Sequence, residues 1–288
     1  MGKYIKKAII PIAGLGTRLL PATIACSKTM IPIGNKPALQ HILEECLLAG
    51  IEDVFIVASK YQEDVEKYIS LFGQSNLIES FPLEIIKNKD FMEYYTLLNS
   101  FNSIRIIYQD EQLGLAHAIK QCEKYFSSLE YFVVILGDNP IVTNNAEDLN
   151  NLIFSANLEA EQFNYKNNYL LTQTVNVEDV NKYGIVVKSK NEVITHIVEK
   201  PSSYDMCRST NAIMGRYILN GSIFEQIPEY TNKSLSYYLN ELILQEQTII
   251  AEKANIEISD IGTECGLIRT YEIYKKWKDK LEEDIEWS

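Results

Sequence analysis

Two glycines and two cations near the start of the chain are the first residues whose types and spacing suit chemistry. In Ala8-Ile9-Ile10-Pro11-Ile12-Ala13-Gly14-Leu15-Gly16-Thr17-Arg18 an apolar run passes straight into a glycine loop, and Lys28 follows ten residues after Arg18. Glycines let backbone N–H groups approach phosphate oxygens closely, and cations balance the phosphate charge. The pattern suits a phosphate site. It is not the P-loop, because no Gly-Lys-Ser/Thr closes it, and not the dinucleotide fingerprint, because the third glycine is missing. Taken alone, the same residues would also make a tight strand-to-loop turn with a surface arginine.

Further candidates follow apolar runs along the chain. Gln109 succeeds Ile104–Tyr108 and carries both a donor and an acceptor, which suits a base edge. Gly114, at a predicted helix start, lets backbone lie against a flat ring. Asp138 leaves the apolar run Phe132–Leu136 through Gly137 and is a good hard-cation ligand. Val198-Glu199-Lys200-Pro201 sets an acid for sugar hydroxyls beside a lysine for a phosphate. Asp260, in Ser259-Asp260-Ile261-Gly262-Thr263, is read as a second acid at a late strand end that could share one metal ion with Asp138. Each has a plainer reading: an Asx turn, a loop polar group, a surface charge pair or a helix N-cap. His41 and His117 fall in predicted helices and His196 in a predicted strand, with packing or surface roles. No histidine cluster suggests zinc.

These residues need a scaffold, and the hydrophobic pattern predicts an α/β one. Ala8–Ile12, Val54–Ala58, Ile104–Tyr108 and Phe132–Leu136 read as strands apolar on both faces. A helix carrying Leu39, Ile42, Leu43, Cys46 and Leu47, ended by Gly50, and helices over Gln62–Ile69 and Ala116–Tyr125 separate them. That alternation implies a parallel sheet covered on both sides, with ligands at the carboxyl ends of its strands. Residues 71–102 read as a helical excursion. The second half predicts strands at Tyr169–Val175, Gly184–Val187, Glu192–Val198, Ala212–Tyr217 and near 248–251 and 256–259. Helices are expected near 222–226 and 235–246 and from about Leu267 onward.

The chain has 288 residues and a net charge of −12, which argues against an extended nucleic-acid face and leaves a phosphate ligand to a local basic site. No apolar run has the length of a membrane span, and the start lacks a signal-peptide layout. The five cysteines, at 26, 46, 122, 207 and 265, have neither zinc nor redox spacing. A cytoplasmic protein with reduced thiols is expected.

The chain resembles the sugar nucleotidyltransferases, and within them the bacterial UTP–glucose-1-phosphate uridylyltransferases. The matching segments include Ala13-Gly14-Leu15-Gly16-Thr17-Arg18-Leu19-Leu20-Pro21-Ala22-Thr23, Lys28 with Met30 to Ile33, and Gly114-Leu115-Ala116-His117-Ala118. Gly137-Asp138, Tyr183-Gly184-Ile185-Val186, Val198-Glu199-Lys200-Pro201 and Gly215-Arg216-Tyr217-Ile218-Leu219 follow. The resemblance implies a Rossmann-like nucleotidyltransferase fold, a mostly parallel mixed sheet flanked by helices with C-terminal helices. It implies one domain over 1–288, with a nucleotide half to about 140 and a sugar-phosphate half after it, and an assembly of two or more copies.

It also implies magnesium-dependent transfer of a uridylyl group from UTP to glucose-1-phosphate, giving UDP-glucose and pyrophosphate. Ala13, Gly14, Gly16, Thr17, Gln109 and Gly114 would bind the nucleotide. Arg18 and Lys28 would neutralise the triphosphate, Asp138 and Asp260 would hold magnesium, and Gly184, Glu199 and Lys200 would hold the sugar phosphate, Lys200 acting in catalysis as well. Another sugar-1-phosphate, dTTP in place of UTP, or a non-catalytic nucleotide- or sugar-binding relative are the other readings.

The chain departs from the family pattern at several points. Ser27-Lys28-Thr29-Met30 stands where Pro-Lys-Glu-Met is usual, and Tyr108 where an arginine precedes the glutamine. Lys233-Ser234-Leu235-Ser236-Tyr237-Tyr238 replaces a Gly-Glu-Ile-Gln-Leu-Thr-Asp segment. Glu264 replaces a lysine, and Thr210 stands where the sugar pocket's asparagine is expected, with Asn211 one residue late.

Overall fold

The computed structural model describes residues 5–74, 78–163, 167–191, 193–257 and 259–286. Its strands are β1 (Lys7–Pro11), β2 (Pro32–Ile33), β3 (Lys36–Pro37), β4 (Asp53–Ala58), β5 (Ser103–Tyr108), β6 (Tyr131–Ile135), β7 (Asn168–Thr174), β8 (Gly184–Lys188), β9 (Ile194–Glu199), β10 (Asn211–Asn220) and β11 (Ile249–Lys253). The helices are α1 (Ala22–Ala25), α2 (Ala38–Leu48), α3 (Glu63–Ile69), α4 (Leu83–Ile86), α5 (Lys89–Asn99), α6 (Leu115–Lys120), α7 (Glu147–Phe163), α8 (Ile223–Gln226), α9 (Leu235–Leu244) and α10 (Glu264–Glu286).

Side chains alternate across a strand, so an entirely apolar strand must be covered on both faces. In β1, Ala8 and Ile10 face one way, with Val54, Ile56, Val133 and Ile135, onto Leu39, Ile42 and Leu43 of α2. Ile9 faces the other way, with Phe55, Val57 and Val134, onto Ala116 and Ile119 of α6 and Leu235 and Leu239 of α9. The sheet order is β11-β7-β10-β6-β1-β4-β5, with β8 beside β10 and β9 beside β8. β6, β1, β4 and β5 run parallel, while β10 runs antiparallel to both β6 and β7. The chain leaves β1 first for β4 and later reaches β6 on its other side, which makes the end of β1 a topological switch point.

The helical excursion over 71–102 contains α4 and α5, and Leu97, Leu98 and Phe101 lay it on the α2 side of the sheet. Residues 75–77 of that segment lie outside the described residues, as does Glu192 of the expected Glu192–Val198 strand, which is seen as β9.

Four local expectations need correction. The helix predicted over Ala116–Tyr125 stops at Lys120, and a separate 3-10 turn covers Glu123–Tyr125. The terminal helix starts at Glu264 rather than near Leu267. The sequence reading places no helix at α7, although Leu149, Leu152, Ile153 and Ala156 are buried at helical spacing. The interleaved Asn150, Asn151 and Asn157 weaken that signal, since asparagine is a poor helix former. Residues 256, 257 and 259 are loop, not strand, and residue 258 lies outside the described residues. The reason is Asp148 on α7. Its carboxylate accepts the N–H groups of Asn255 and Ile256, each at 2.9 Å, so they are not left for a neighbouring strand. Asp260 therefore comes from a loop ahead of α10, not from a strand end.

One buried ion pair joins the two halves. Arg216 on β10 donates through Nε and Nη2 to Glu45 on α2, at 3.0 and 2.6 Å.

Candidate active site

Every residue named from the sequence as a nucleotide, sugar-phosphate or metal candidate lines one cavity of about 690 Å³. It opens where the carboxyl ends of β1, β5 and β6 meet β8, β9 and the loop before α10. Local chemistry dictates each wall.

The first wall is the loop after β1. Gly16 has φ +63°, in the left-handed region that glycine tolerates best, and a 3-10 turn over Thr17–Leu19 follows it. The Thr23 hydroxyl donates to the Gly16 carbonyl at 3.0 Å. Gln62 ties the loop to the sheet, donating to the Ile12 carbonyl at 2.8 Å and accepting from the Ser59 N–H at 2.7 Å. A Cβ on Gly14 would meet nothing within 4 Å, so that backbone stands open to the cavity.

The residue before Lys28 is held by a neighbour the sequence did not reveal. Asp64, in the first turn of α3, accepts from the Ser27 N–H at 2.6 Å and from its hydroxyl at 2.5 Å. Proline has no N–H to give, so serine at position 27 is what makes this anchor available. Thr29 is buried where a glutamate is usual, and its methyl would lie 3.0 Å from a Cβ on Gly137.

Asp138 and Asp260 form the acid centre. A point on Gly262, where a Cβ would sit, is 2.9 Å from Asp260 Oδ1 and 3.7 Å from Asp138 Oδ2, so one small space faces both carboxylates. Their loops are bonded to each other. The Ile261 N–H donates to the Asp138 carbonyl at 2.9 Å, and the buried Asn139 amide donates to the Ser259 carbonyl at 2.9 Å. Lys28 Nζ lies 2.8 Å from Asp138 Oδ2. Burial opposes ionisation of Asp138, but the charges of Lys28 and Lys200 and the Lys28 hydrogen bond outweigh it and hold its pKa below the usual carboxylate value. Asp260 is shifted the other way: burial first, then the Asp138 charge, push its pKa up, against the Gly262 N–H, Lys28 and Arg18.

The opposite wall comes from β8 and β9. Gly184 pairs with Glu199, and a Cβ there would sit 3.3 Å from the Glu199 carboxylate. Ser236 of α9 donates to Glu199 at 2.6 Å. Lys200 has φ +45°, left-handed backbone in a residue with a Cβ, and its N–H donates to the Tyr183 carbonyl at 3.0 Å. Strain of this kind concentrates at ligand sites. Among the described residues, neither Arg18 nor Lys200 makes an ion pair.

The base-side residues sit at the remaining end. Gln109 is buried, and its amide nitrogen is 3.1 Å from the Gly114 carbonyl and 2.8 Å from His117 Nδ1. Gly114 has φ +102° and ψ −173°, a conformation essentially restricted to glycine. Tyr108 points away from this role, with its hydroxyl on Glu66.

The cavity also exposes residues given no role in the sequence reading: Lys182, Asn139, Asn232, Lys233 and Ser236. Lys182 was signalled only by standing next to Tyr183-Gly184. Asn139 directly follows Asp138 in the Gly137-Asp138-Asn139 segment, whereas Asn232, Lys233 and Ser236 carry no spacing signature, because the fold rather than the chain brings them near. Thr210 and Asn211 do not line the cavity; Asn211 is in β10, paired with Thr174 and Val186.

Comparison with known proteins agrees with this fold. The model of the nucleotidyl transferase family matches residues 7–279. The UTP–glucose-1-phosphate uridylyltransferase YngB of Bacillus subtilis (strain 168) is 39% identical over 228 residues, covering 78% of this chain and 72% of that protein. UTP–glucose-1-phosphate uridylyltransferase 1 of Staphylococcus saprophyticus is 32% identical, covering 98% of this chain and 96% of that protein. A solved structure of UDP-glucose pyrophosphorylase complexed with UDP-glucose superimposes with a TM-score of 0.77 at 27% identity, covering 94% of this chain and 99% of that one. With its α/β sheet, its cation-lined cavity and a match over nearly its whole length, the chain belongs to the nucleotidyl transferase family.

Proposed function

We propose that this protein transfers a uridylyl group from UTP to glucose-1-phosphate, releasing pyrophosphate and forming UDP-glucose. One observation carries the reading: the glycine loop with Arg18 and Lys28, and the Gly184, Glu199 and Lys200 wall, face a single cavity, and Asp138 feels both Lys28 and Lys200. A nucleoside triphosphate on the first wall and a sugar phosphate on the second would meet at that acid centre. The names of the matched proteins support the choice of UTP and glucose-1-phosphate. Residues 1–288 act as one domain in this reading, supported by the sheet that runs through both halves.

In the reaction, a phosphate oxygen of the sugar phosphate bonds to the α-phosphorus of UTP. The bond from that phosphorus to the β-phosphate oxygen breaks, and pyrophosphate leaves with the electron pair. Such transfer depends on positioning and charge neutralisation rather than on a covalent nucleophile. Gln109, Gly114, Ala13 and Gly14 orient the uridine, and the Gly16–Thr17 backbone lies along the phosphates. Arg18 and Lys28 neutralise the charge that builds on the leaving pyrophosphate. Lys200 holds the attacking phosphate, and Glu199, fixed by Ser236, accepts from sugar hydroxyls.

The donor set fits magnesium. Asp138 and Asp260 offer hard oxygen ligands around one small space, and the raised pKa of Asp260 marks a carboxylate pair that a cation would relieve. No group of three such ligands occurs among the described residues, so substrate phosphates and water would complete the shell. When bound, the ion supplies charge neutralisation at the phosphates. A cytoplasmic location belongs to the same reading, supported by five unpaired cysteines. Among the described residues no helix is long and apolar enough to cross a membrane.

The displaced Thr210 and Asn211 favour one second reading, a different sugar-1-phosphate. The test is pyrophosphate release with magnesium and each pairing of UTP or dTTP with a panel of sugar-1-phosphates. Release with UTP and glucose-1-phosphate is expected. Release only with another pair would rename the substrate, and none from nucleotide-binding protein would overturn the transferase reading.

A further inference from the structure

We infer that His117 is a positioning residue for the nucleobase: acting through Gln109, it makes the site select a base that presents a ring N–H, uracil over cytosine. The inference rests on the uridylyl reading and deepens it.

The argument begins with the Gly114 carbonyl, which can only accept. It lies 3.1 Å from Gln109 Nε2, so that end of the amide must be the NH2 group. Its second proton points to His117 Nδ1 at 2.8 Å, which must therefore be the bare ring nitrogen. A neutral imidazole then carries its proton on Nε2. That nitrogen is 3.1 Å from the Gln121 amide. The Gln121 amide nitrogen faces both the ring and, at 3.3 Å, the His117 carbonyl; turned end for end, the amide gives up the longer carbonyl contact and its oxygen takes the ring proton. His117 and Gln109 are both buried, so water does not compete for these contacts.

With both amide protons engaged, only Oε1 of Gln109 remains for a ligand, and it can only accept. Uracil offers N3–H to it. Cytosine presents a bare N3, and two acceptors would face each other in a buried site. Remove the Nδ1 acceptor and the amide regains a free N–H beside its oxygen, which could then satisfy cytosine as well. His117 thus reads the base without touching it.

The test is equilibrium binding of UTP and CTP to the wild type, His117→Leu and His117→Asn. Leucine removes the acceptor; the asparagine oxygen can take the place of Nδ1. The wild type should prefer UTP by about tenfold or more, as an unpaired buried acceptor implies. His117→Leu should bring that ratio within about threefold, mainly by gaining CTP affinity, and His117→Asn should restore it. A ratio measured on one sample does not depend on how much of that sample is folded. If His117→Leu weakens both nucleotides equally and keeps the wild-type ratio, the residue is only structural and the inference falls. A wild type that binds both equally also overturns it. A wild type that binds neither overturns the uridylyl reading itself.

Discussion

Glu45→Leu tests whether the two halves of the sheet depend on one buried ion pair. The Arg216 and Glu45 side chains are 0% and 1% exposed. Two guanidinium nitrogens reach the two carboxylate oxygens at 3.0 and 2.6 Å, and Nη1 donates to the Met214 carbonyl at 3.3 Å. Leucine removes both charged acceptors and leaves the guanidinium with one backbone carbonyl. Breaking such a pair costs about 3–5 kcal/mol, a large part of the roughly 5–15 kcal/mol by which a domain is stable. The folding equilibrium should therefore fall by about a hundredfold or more. Replacing both partners by apolar residues, as in Glu45→Leu with Arg216→Met, should recover most of the loss, because no unpaired charge remains. Urea unfolding of the wild type, both single variants and the double variant measures the coupling. A Glu45→Leu cost below about 1 kcal/mol, or a double variant no better than the single, would refute this reasoning. The site should register the change too. Gly215, next to Arg216, accepts the Leu136 N–H at 2.9 Å, just ahead of Gly137 and Asp138.

Three other outcomes are expected. Gly137→Ala places a Cβ 2.4 Å from Ile12 Cγ2 and 3.2 Å from the Pro11 carbonyl oxygen, so it should cost about 1–3 kcal/mol in thermal or urea unfolding and depress kcat by shifting Asp138. Lys200→Ala should raise KM for the sugar phosphate about tenfold or more while leaving equilibrium UTP binding near the wild-type value, since the lysine belongs to the second wall; unchanged sugar-phosphate kinetics would reject its assignment. His41 is buried, and burial depresses its pKa despite the Ile33 carbonyl and Glu44. The unfolded state takes up the proton first, so the contribution of His41 is full above the unfolded value of about 6.5. It is lost as pH falls below that value, by no more than about 1.4 kcal/mol per pH unit, until the folded group also titrates. Unfolding free energies between pH 8 and pH 5 should flatten in His41→Gln, which can still donate to Ile33.

The sequence alone determined the parallel core and the end of it where the candidate site lies. Runs such as Ala8–Ile12 and Val54–Ala58 are apolar at every position, and only a strand covered on both faces satisfies that pattern. Glycines, cations and acids placed just after those runs must then gather at one edge. Local chemistry therefore carried most of the candidate site, from Gly14 to Lys200. Only the tertiary structure decided how those residues are held. Asp64 anchors Ser27, the residue before Lys28, from 37 residues away, and Asp148 binds Asn255 from 107 residues away. Contacts across such separations leave no periodicity in the chain. The same holds for His117: its position in a helix was legible, but its place behind Gln109 follows from the turn that Gly114 makes in space. Sequence patterning reports which surface each residue buries, whereas partners and hydrogen-bond directions are set only when distant segments pack together.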